Sequence, residues 1–269
     1  MNRLLKFILP CGLVDLVKNR RKLRNIGRRL LPTEVFGSDR IALDAEQSGL
    51  FLFAPGHLRE LGTVVDVGAN AGQWSSMLLN LVTPAKLIIV EPLPDAFAVL
   101  QRKFGNNSRL ELHNLAIGER ESVETLKVTR DTTGASLLQP REEMRAVIGS
   151  NWTITSEVDV KMTTLDQLLV DVPEVSLLKI DVQGYEKPVI AGAKRTLGKT
   201  KFVLIELNFM PQYDGGSWLG EIHEILTRDF GFFLANASAP QVLNGRASMV
   251  DGLYVNPNLV HEWVKPDFV

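Results

Sequence analysis

Four acidic residues stand at the ends of four short apolar runs. The runs Thr63 to Val67, Leu87 to Val90, Leu177 to Ile180 and Phe202 to Ile205 have the length and composition of buried strands. Asp66 lies one residue before the end of the first, and Glu91, Asp181 and Glu206 directly follow the other three. Parallel strands bring their carboxyl ends to one edge, and open α/β sheets bind ligands outside that edge. Four acids there predict a cleft for a cationic or hydroxyl-rich ligand. The competing reading is of carboxylates that merely solvate strand ends.

The first crossover narrows the ligand. It reads Val64-Val-Asp-Val-Gly-Ala-Asn-Ala-Gly72, so Gly68 and Gly72 leave room for close approach to the backbone, and Asn70 tolerates left-handed angles. Glu91 follows Gly72 by nineteen residues and ends the next strand, where a carboxylate can accept the two hydroxyls of a ribose. A dinucleotide site would want G-x-G-x-x-G, with a pyrophosphate on the helix N-terminus. Here Asp66 faces the loop, which is adverse to a pyrophosphate and suits a sulfonium-bearing amino acid. The pattern points to S-adenosylmethionine.

Elements must hold these residues in place. Trp74, Met77, Leu78 and Leu81 repeat at helical spacing, as do Phe97, Leu100 and Phe104 with Pro94 in the first turn. Val189, Ile190, Ala193 and Leu197 make a third stripe; Trp218, Ile222, Ile225 and Leu226 make a fourth. The aromatic and methionine members are read as core. A further helix is predicted around residues 40 to 60. Leu110 to Ala116 reads as a third strand, whereas Val123 to Val128 and Glu157 to Met162 alternate like antiparallel strands. Between them Asp131 to Ser136 is rich in turn residues, and Thr163 or Thr164 can cap a short helix through Leu169. The region is read as an insertion lying over the sheet as a lid. The tail, Gly231 to Val255, is expected to add one or two closing strands.

Composition sets outer bounds. Hydrophobic residues at 45% and charged residues at 23% exclude global disorder. Cys11, the single cysteine, cannot form an intrachain disulfide, and the four scattered histidines show no metal-ligand spacing, so no metal site is expected. A reducing, cytoplasmic setting follows. Residues 1 to 30 carry nine Lys or Arg against Asp15 alone, whereas the other 239 carry 21 basic against 30 acidic residues. So acidic a body is a poor ligand for nucleic acid, and no nucleic-acid partner is expected. The arm's apolar residues beside its basic cluster fit either peripheral contact with an anionic membrane, at its inner face, or packing on the acidic body.

Five blocks carry a family resemblance: VVDVGANAGQWS, IIVEPLPDAF, NLAIGERE, LLKIDVQGYEKPVIAGA and VLIELN. In order and spacing, over roughly residues 63 to 235, they resemble the FkbM-type methyltransferases. The resemblance implies an α/β, Rossmann-like class I methyltransferase fold: a mostly parallel seven-stranded sheet, helices on both faces, and a β-rich insertion at about 120–170. The arm would span 1–38 and the domain 39–269. It further implies S-adenosylmethionine as cofactor, with Asp66, Gly68, Asn70 and Gly72 at the methionine moiety and Gln73 and Trp74 nearby. Glu91 would bind the ribose, Pro92 would flank the adenosine, Asn114 and Ala116 would sit beside the adenine, and Asp181 would stand where donor and acceptor meet. Gln183 occupies a position where family members often carry glutamate; Glu186 is retained and can cap the following helix.

The activity implied is O-methylation of a hydroxyl on a small molecule, saccharide or lipid-like acceptor. Asp181-Val-Gln-Gly184 lacks the Asn/Asp-Pro-Pro-aromatic pattern of nucleobase amino-methylation, and Cys11 lies too far upstream for carbon methylation of cytosine. An alcohol acceptor loses a proton, so a base is needed; Asp181 is the first candidate, with Glu206 and His223 next. The alternative is a catalytically inactive scaffold of the same fold, tethered by its basic arm.

Overall fold

In a computed structural model describing residues 61–260, the chain alternates strand and helix from its first element. β1 (Thr63–Val67), α1 (Gln73–Leu81), β2 (Lys86–Val90), α2 (Pro94–Phe104) and β3 (Leu110–His113) form one half. β4 (Ala116–Ile117), β5 (Ser122–Thr129), α3 (Glu142–Ile148), β6 (Ile154–Thr163) and α4 (Leu165–Leu168) intervene. The second half runs β7 (Val175–Ile180), α5 (Glu186–Ala191), α6 (Lys194–Gly198), β8 (Thr200–Asn208), α7 (Leu219–Glu224), β9 (Phe233–Ala237), β10 (Gln241–Leu243) and β11 (Arg246–Val255). The arm, its boundary at residue 38, Cys11 and the helix expected at 40 to 60 lie outside the described residues.

The sheet order is β3-β2-β1-β7-β8-β11, parallel throughout except for β11 against β8. The outer edge of β11 is shared: β10 pairs with Arg246–Met249 and β9 with Gly252–Val255. Eight strands therefore fill seven positions, and the tail supplies three strands rather than one or two. The ten-residue β11 is long enough to be covered by two short partners. From β1 the chain builds outward through β2 and later resumes on the opposite side with β7. That reversal places a crevice at the carboxyl ends of β1 and β7.

Alternation along the central strands feeds two cores. Val65, Val67, Leu178, Ile180, Val203 and Ile205 face α4 to α7, where Leu165, Val189, Leu197 and Ile222 are buried, with Leu226 in the turn that follows α7. Val64, Leu87, Ile89, Leu177 and Leu204 face α1 and α2, meeting Trp74, Leu78 and Leu100. Each such buried aliphatic side chain contributes about 1.5–3 kcal/mol.

Two sequence expectations are corrected here. The run Leu110 to Ala116 is broken at Asn114, whose Nδ2 donates to the Glu91 and Pro92 carbonyls at 2.8 and 2.9 Å. The chain thereby leaves the main sheet, and β4 joins β6 and β5 in a separate three-stranded sheet. The stripe Val189 to Leu197 is likewise two short helices, interrupted at Gly192, whose carbonyl accepts the Asp166 N–H at 3.0 Å. The antiparallel β5–β6 ribbon and the Thr164 cap, which accepts the Gln167 N–H, match expectation.

Candidate active site

The turn after β1 is pinned from both neighbouring strands. Gly68 and Ala69 donate to the Val90 carbonyl at 3.0 and 3.2 Å, and Asp181 donates to the Val67 carbonyl at 3.1 Å. Gly68 has φ +80°, and a Cβ there would sit 1.8 Å from the Asp181 carbonyl oxygen. Only glycine admits this approach of the β1 and β7 ends. Gly72, at φ +77°, is needed for a different contact: a Cβ would lie 2.7 Å from Leu100 and Phe104 on α2. Gly72 thus serves helix packing and does not line the cavity. Asn70 adopts φ 47°, its Oδ1 accepts the Ala71 N–H, and its Nδ2 donates to the Thr132 carbonyl at 2.9 Å.

A cavity of about 300 Å³ opens over this edge. Gly68, Asn70, Glu91, Pro92, Ala116 and Asp181, all anticipated, line it together with Gln73 and Trp74. Glu91 is buried, and its two carboxylate oxygens accept the Asn70 N–H at 2.7 Å and the Leu93 N–H at 2.8 Å. Each oxygen keeps a lone pair for a further donor. Burial pushes the Glu91 carboxyl up to about 7, against the opposing effect of those N–H groups and the Lys179 charge.

Asp66 does not face the cavity. It is fully buried, with Oδ1 3.1 Å from the Lys179 ammonium and Oδ2 accepting the Ser75 hydroxyl at 2.6 Å. Lys179, from the middle of an apolar strand, also donates to the Gly68 carbonyl at 3.1 Å and lies 3.4 Å from Asp181 Oδ2. Burial opposes the ammonium, but Asp66 and Asp181 outweigh it and raise its pKa. Two carboxylates face one ammonium, so the site keeps an excess negative charge, suited to a cation, although Asp66 itself is spent on Lys179. Nothing in the spacing pointed to Lys179; a lysine inside Leu177-Leu178-Lys179-Ile180 was the available signal, since buried ammonium groups need partners.

Asp181 stands where two spaces meet. Its side chain is 36% exposed. Together with Gln73, Trp74 and Lys179 it borders both the first cavity and a second one of about 590 Å³. The second is completed by Ser76, Met77 and Asn80 of α1, Lys103 and Asp251, among others. The insertion supplies the opposite wall of the first: Thr132, Thr133, Ala135, Ser136 and Leu137 line it. The lid reading therefore corresponds to a wall fastened to Asn70 through Thr132.

The other candidates lie elsewhere. Asn114 fixes the turn after β2 rather than lining the cavity. Glu206 is buried outside both linings, with Oε1 accepting from Asn208 Nδ2 at 3.0 Å. Burial, then Asp181 and Glu186, raise its pKa well above the carboxylate range. His223, on α7, has Nδ1 3.1 Å from the Tyr254 hydroxyl and also lies outside both cavities. Glu186 Oε1 accepts the Val182 and Gly184 N–H groups, closing the turn before α5. Among the described residues, no group of three or more His, Cys, Asp or Glu is arranged to hold a metal ion.

The family model of the methyltransferase FkbM domain matches residues 66–234, which is more than half of the chain and includes every candidate residue from Asp66 to His223. The chain belongs to the FkbM methyltransferase family. This family member is 29% identical over 174 residues to 2-O-methyltransferase NoeI of Sinorhizobium fredii, covering 61% of the chain and 70% of the relative. It is 28% identical over 142 residues to Methyltransferase 1 of Beauveria bassiana, covering 48% and 57% respectively. Among solved structures, an FkbM methyltransferase from Methylobacillus flagellatus KT aligns at 15% identity with a TM-score of 0.47, covering 89% of the chain and 60% of its own. The chain thus spans less than two thirds of the length of two of these relatives.

Proposed function

We propose that the protein transfers a methyl group from S-adenosylmethionine to a hydroxyl of a small-molecule or saccharide acceptor. One observation carries the reading: Asp181 lies at the shared border of two cavities, one of which holds Glu91 and the Gly68–Asn70 turn. The donor would occupy the first cavity. Glu91 retains lone pairs for two ribose hydroxyls, Pro92, Ala116 and Leu137 offer apolar faces for a base, and the net negative charge near Lys179 suits a sulfonium. The bound donor supplies an electrophilic methyl group; the chain's residues do the rest.

The acceptor would occupy the larger space, beside Trp74, Asn80 and Asp251, with its hydroxyl at Asp181. Asp181 would take the hydroxyl proton as the oxygen attacks, and enclosure of both partners supplies proximity and excludes water. The name of the Sinorhizobium relative, a 2-O-methyltransferase, supports oxygen as the methyl-accepting atom.

Two measurements test this. Calorimetry with S-adenosylhomocysteine should give saturable heat, and NAD should give none; no heat from folded protein with either donor or product overturns the reading. With label followed from the donor methyl into a cell extract, Asp181→Asn should lower the rate by about 10²–10⁴ at saturating donor, the range for general-base catalysis. A loss confined to donor affinity would instead make Asp181 a binding residue.

A further inference from the structure

Gln183 reaches the site's acids through its side chain and the insertion through its backbone carbonyl. Its backbone is left-handed, at φ 55°, a conformation a glutamine adopts only when its surroundings impose it. The restraints are visible. Ser136 Oγ donates to the Gln183 carbonyl at 2.7 Å, and the Tyr213 hydroxyl lies 3.1 Å from Gln183 Oε1 and 3.0 Å from the Gly134 carbonyl, sharing its proton between them. With Oε1 turned to a donor, Nε2 must face the acids. It donates to Asp181 Oδ1 at 2.9 Å and to Glu206 Oε2 at 3.4 Å.

We propose that Gln183 is a positioning residue for methyl transfer: it orients the Asp181 carboxylate at the junction of the two cavities. The proposal rests on the methyl-transfer reading above. Several charged and titratable groups surround Asp181, so its orientation depends on which of them hold it. Lys179 lies on β7, Glu186 on α5, Glu206 on β8, Tyr213 on the following loop and Asp251 on β11. Lys179 grips Oδ2 and Gln183 grips Oδ1, so the carboxylate plane is fixed from both sides. Since Ser136 holds the Gln183 carbonyl and Tyr213 bridges Gly134 to its side-chain oxygen, the wall of the donor cavity and the orientation of Asp181 form one hydrogen-bonded unit.

The test uses the full chain and two variants. Gln183→Asn keeps an amide and tolerates the left-handed backbone but is one methylene too short to span from Tyr213 to Asp181. Gln183→Met keeps the approximate length and removes the donor. Gln183 also lines the donor cavity, so S-adenosylhomocysteine affinity is measured alongside; in both variants label transfer at saturating donor should fall at least about tenfold. In the Asp181→Asn background, Gln183→Asn should cause little further loss, because a positioning residue has nothing left to position. Equal losses in both backgrounds, or an unchanged rate, would overturn the proposal. The Gln183 side-chain amide resonances give a reading that needs no acceptor. They should move on Asp181→Ala in the ligand-free protein, and resonances indifferent to that change would also overturn it. Failure of the wild type to bind S-adenosylhomocysteine counts against the methyl-transfer reading alone.

Discussion

Glu91 holds two backbone N–H groups in a buried setting that lifts its carboxyl to about 7, and this has a measurable consequence for binding. Ribose hydroxyls donate to the ionised form, so a bound nucleoside should lower that pKa and release a proton. Affinity for S-adenosylhomocysteine should rise as pH increases from about 6 towards 7, by up to about tenfold per unit, and level off above. Calorimetry in buffers of different ionisation enthalpy reads the released proton directly. Glu91→Gln should bind more weakly by about 1.5–3 kcal/mol above pH 7 and lose the pH dependence. A slope that survives the substitution would assign the proton to another group.

At the scale of elements, β1 and β7 are joined by more than their ladder. Lys179 reaches from β7 to the buried Asp66 of β1, and its ammonium also holds the Gly68 turn. Breaking such a pair by removing one partner leaves an uncompensated charge, which typically costs about 3–5 kcal/mol. Lys179→Met should therefore destabilise by that order in urea unfolding. The double change with Asp66→Asn should recover part of the loss, because the orphaned charge is removed with its partner. Independent, additive costs would mean that the pair is not coupled.

Across the whole molecule, the buried acids make stability depend on pH in an unusual direction. Glu91 and Asp251 are both lifted to about 7, in each case by burial first, and Asp181 adds to the effect on Asp251. Burial likewise raises Glu186, whose Oε2 is buried without a hydrogen-bond partner. A folded-state pKa above the unfolded value means that the unfolded chain ionises first. The stability these groups contribute is present below about pH 4.5 and is lost as pH rises through 7. The lowered carboxyls of Glu111, Asp166 and Glu221 act at lower pH and in the opposite sense. Thermal melts of the ligand-free protein should thus show the midpoint falling between pH 5 and 8. Glu91→Gln should flatten the decline, and saturating S-adenosylhomocysteine should restore the midpoint most at high pH. A midpoint that rises through this window would contradict the burial of these acids.

The order of apolar runs, the first two helical stripes and the acids that end the runs were legible along the chain, because burial on both sheet faces imposes a periodicity that any strand or helix must display. So were the Gly68 turn, left-handed Asn70, Glu91 and Asp181, since each follows from its place at a parallel strand's carboxyl end. What each acid touches was not legible. Asp66 turned inward to Lys179, Glu206 went behind Gln183, and His223 joined Tyr254 outside both cavities, all through contacts between residues remote in sequence. Gln183 shows the limit most clearly. Its sequence context offered only a substitution, while its role depends on Ser136, 47 residues away, and Tyr213, 30 residues away. Strand ends are fixed by local patterning; the direction of a buried polar side chain is fixed by whichever partner can satisfy it, and only the packed chain brings that partner within reach.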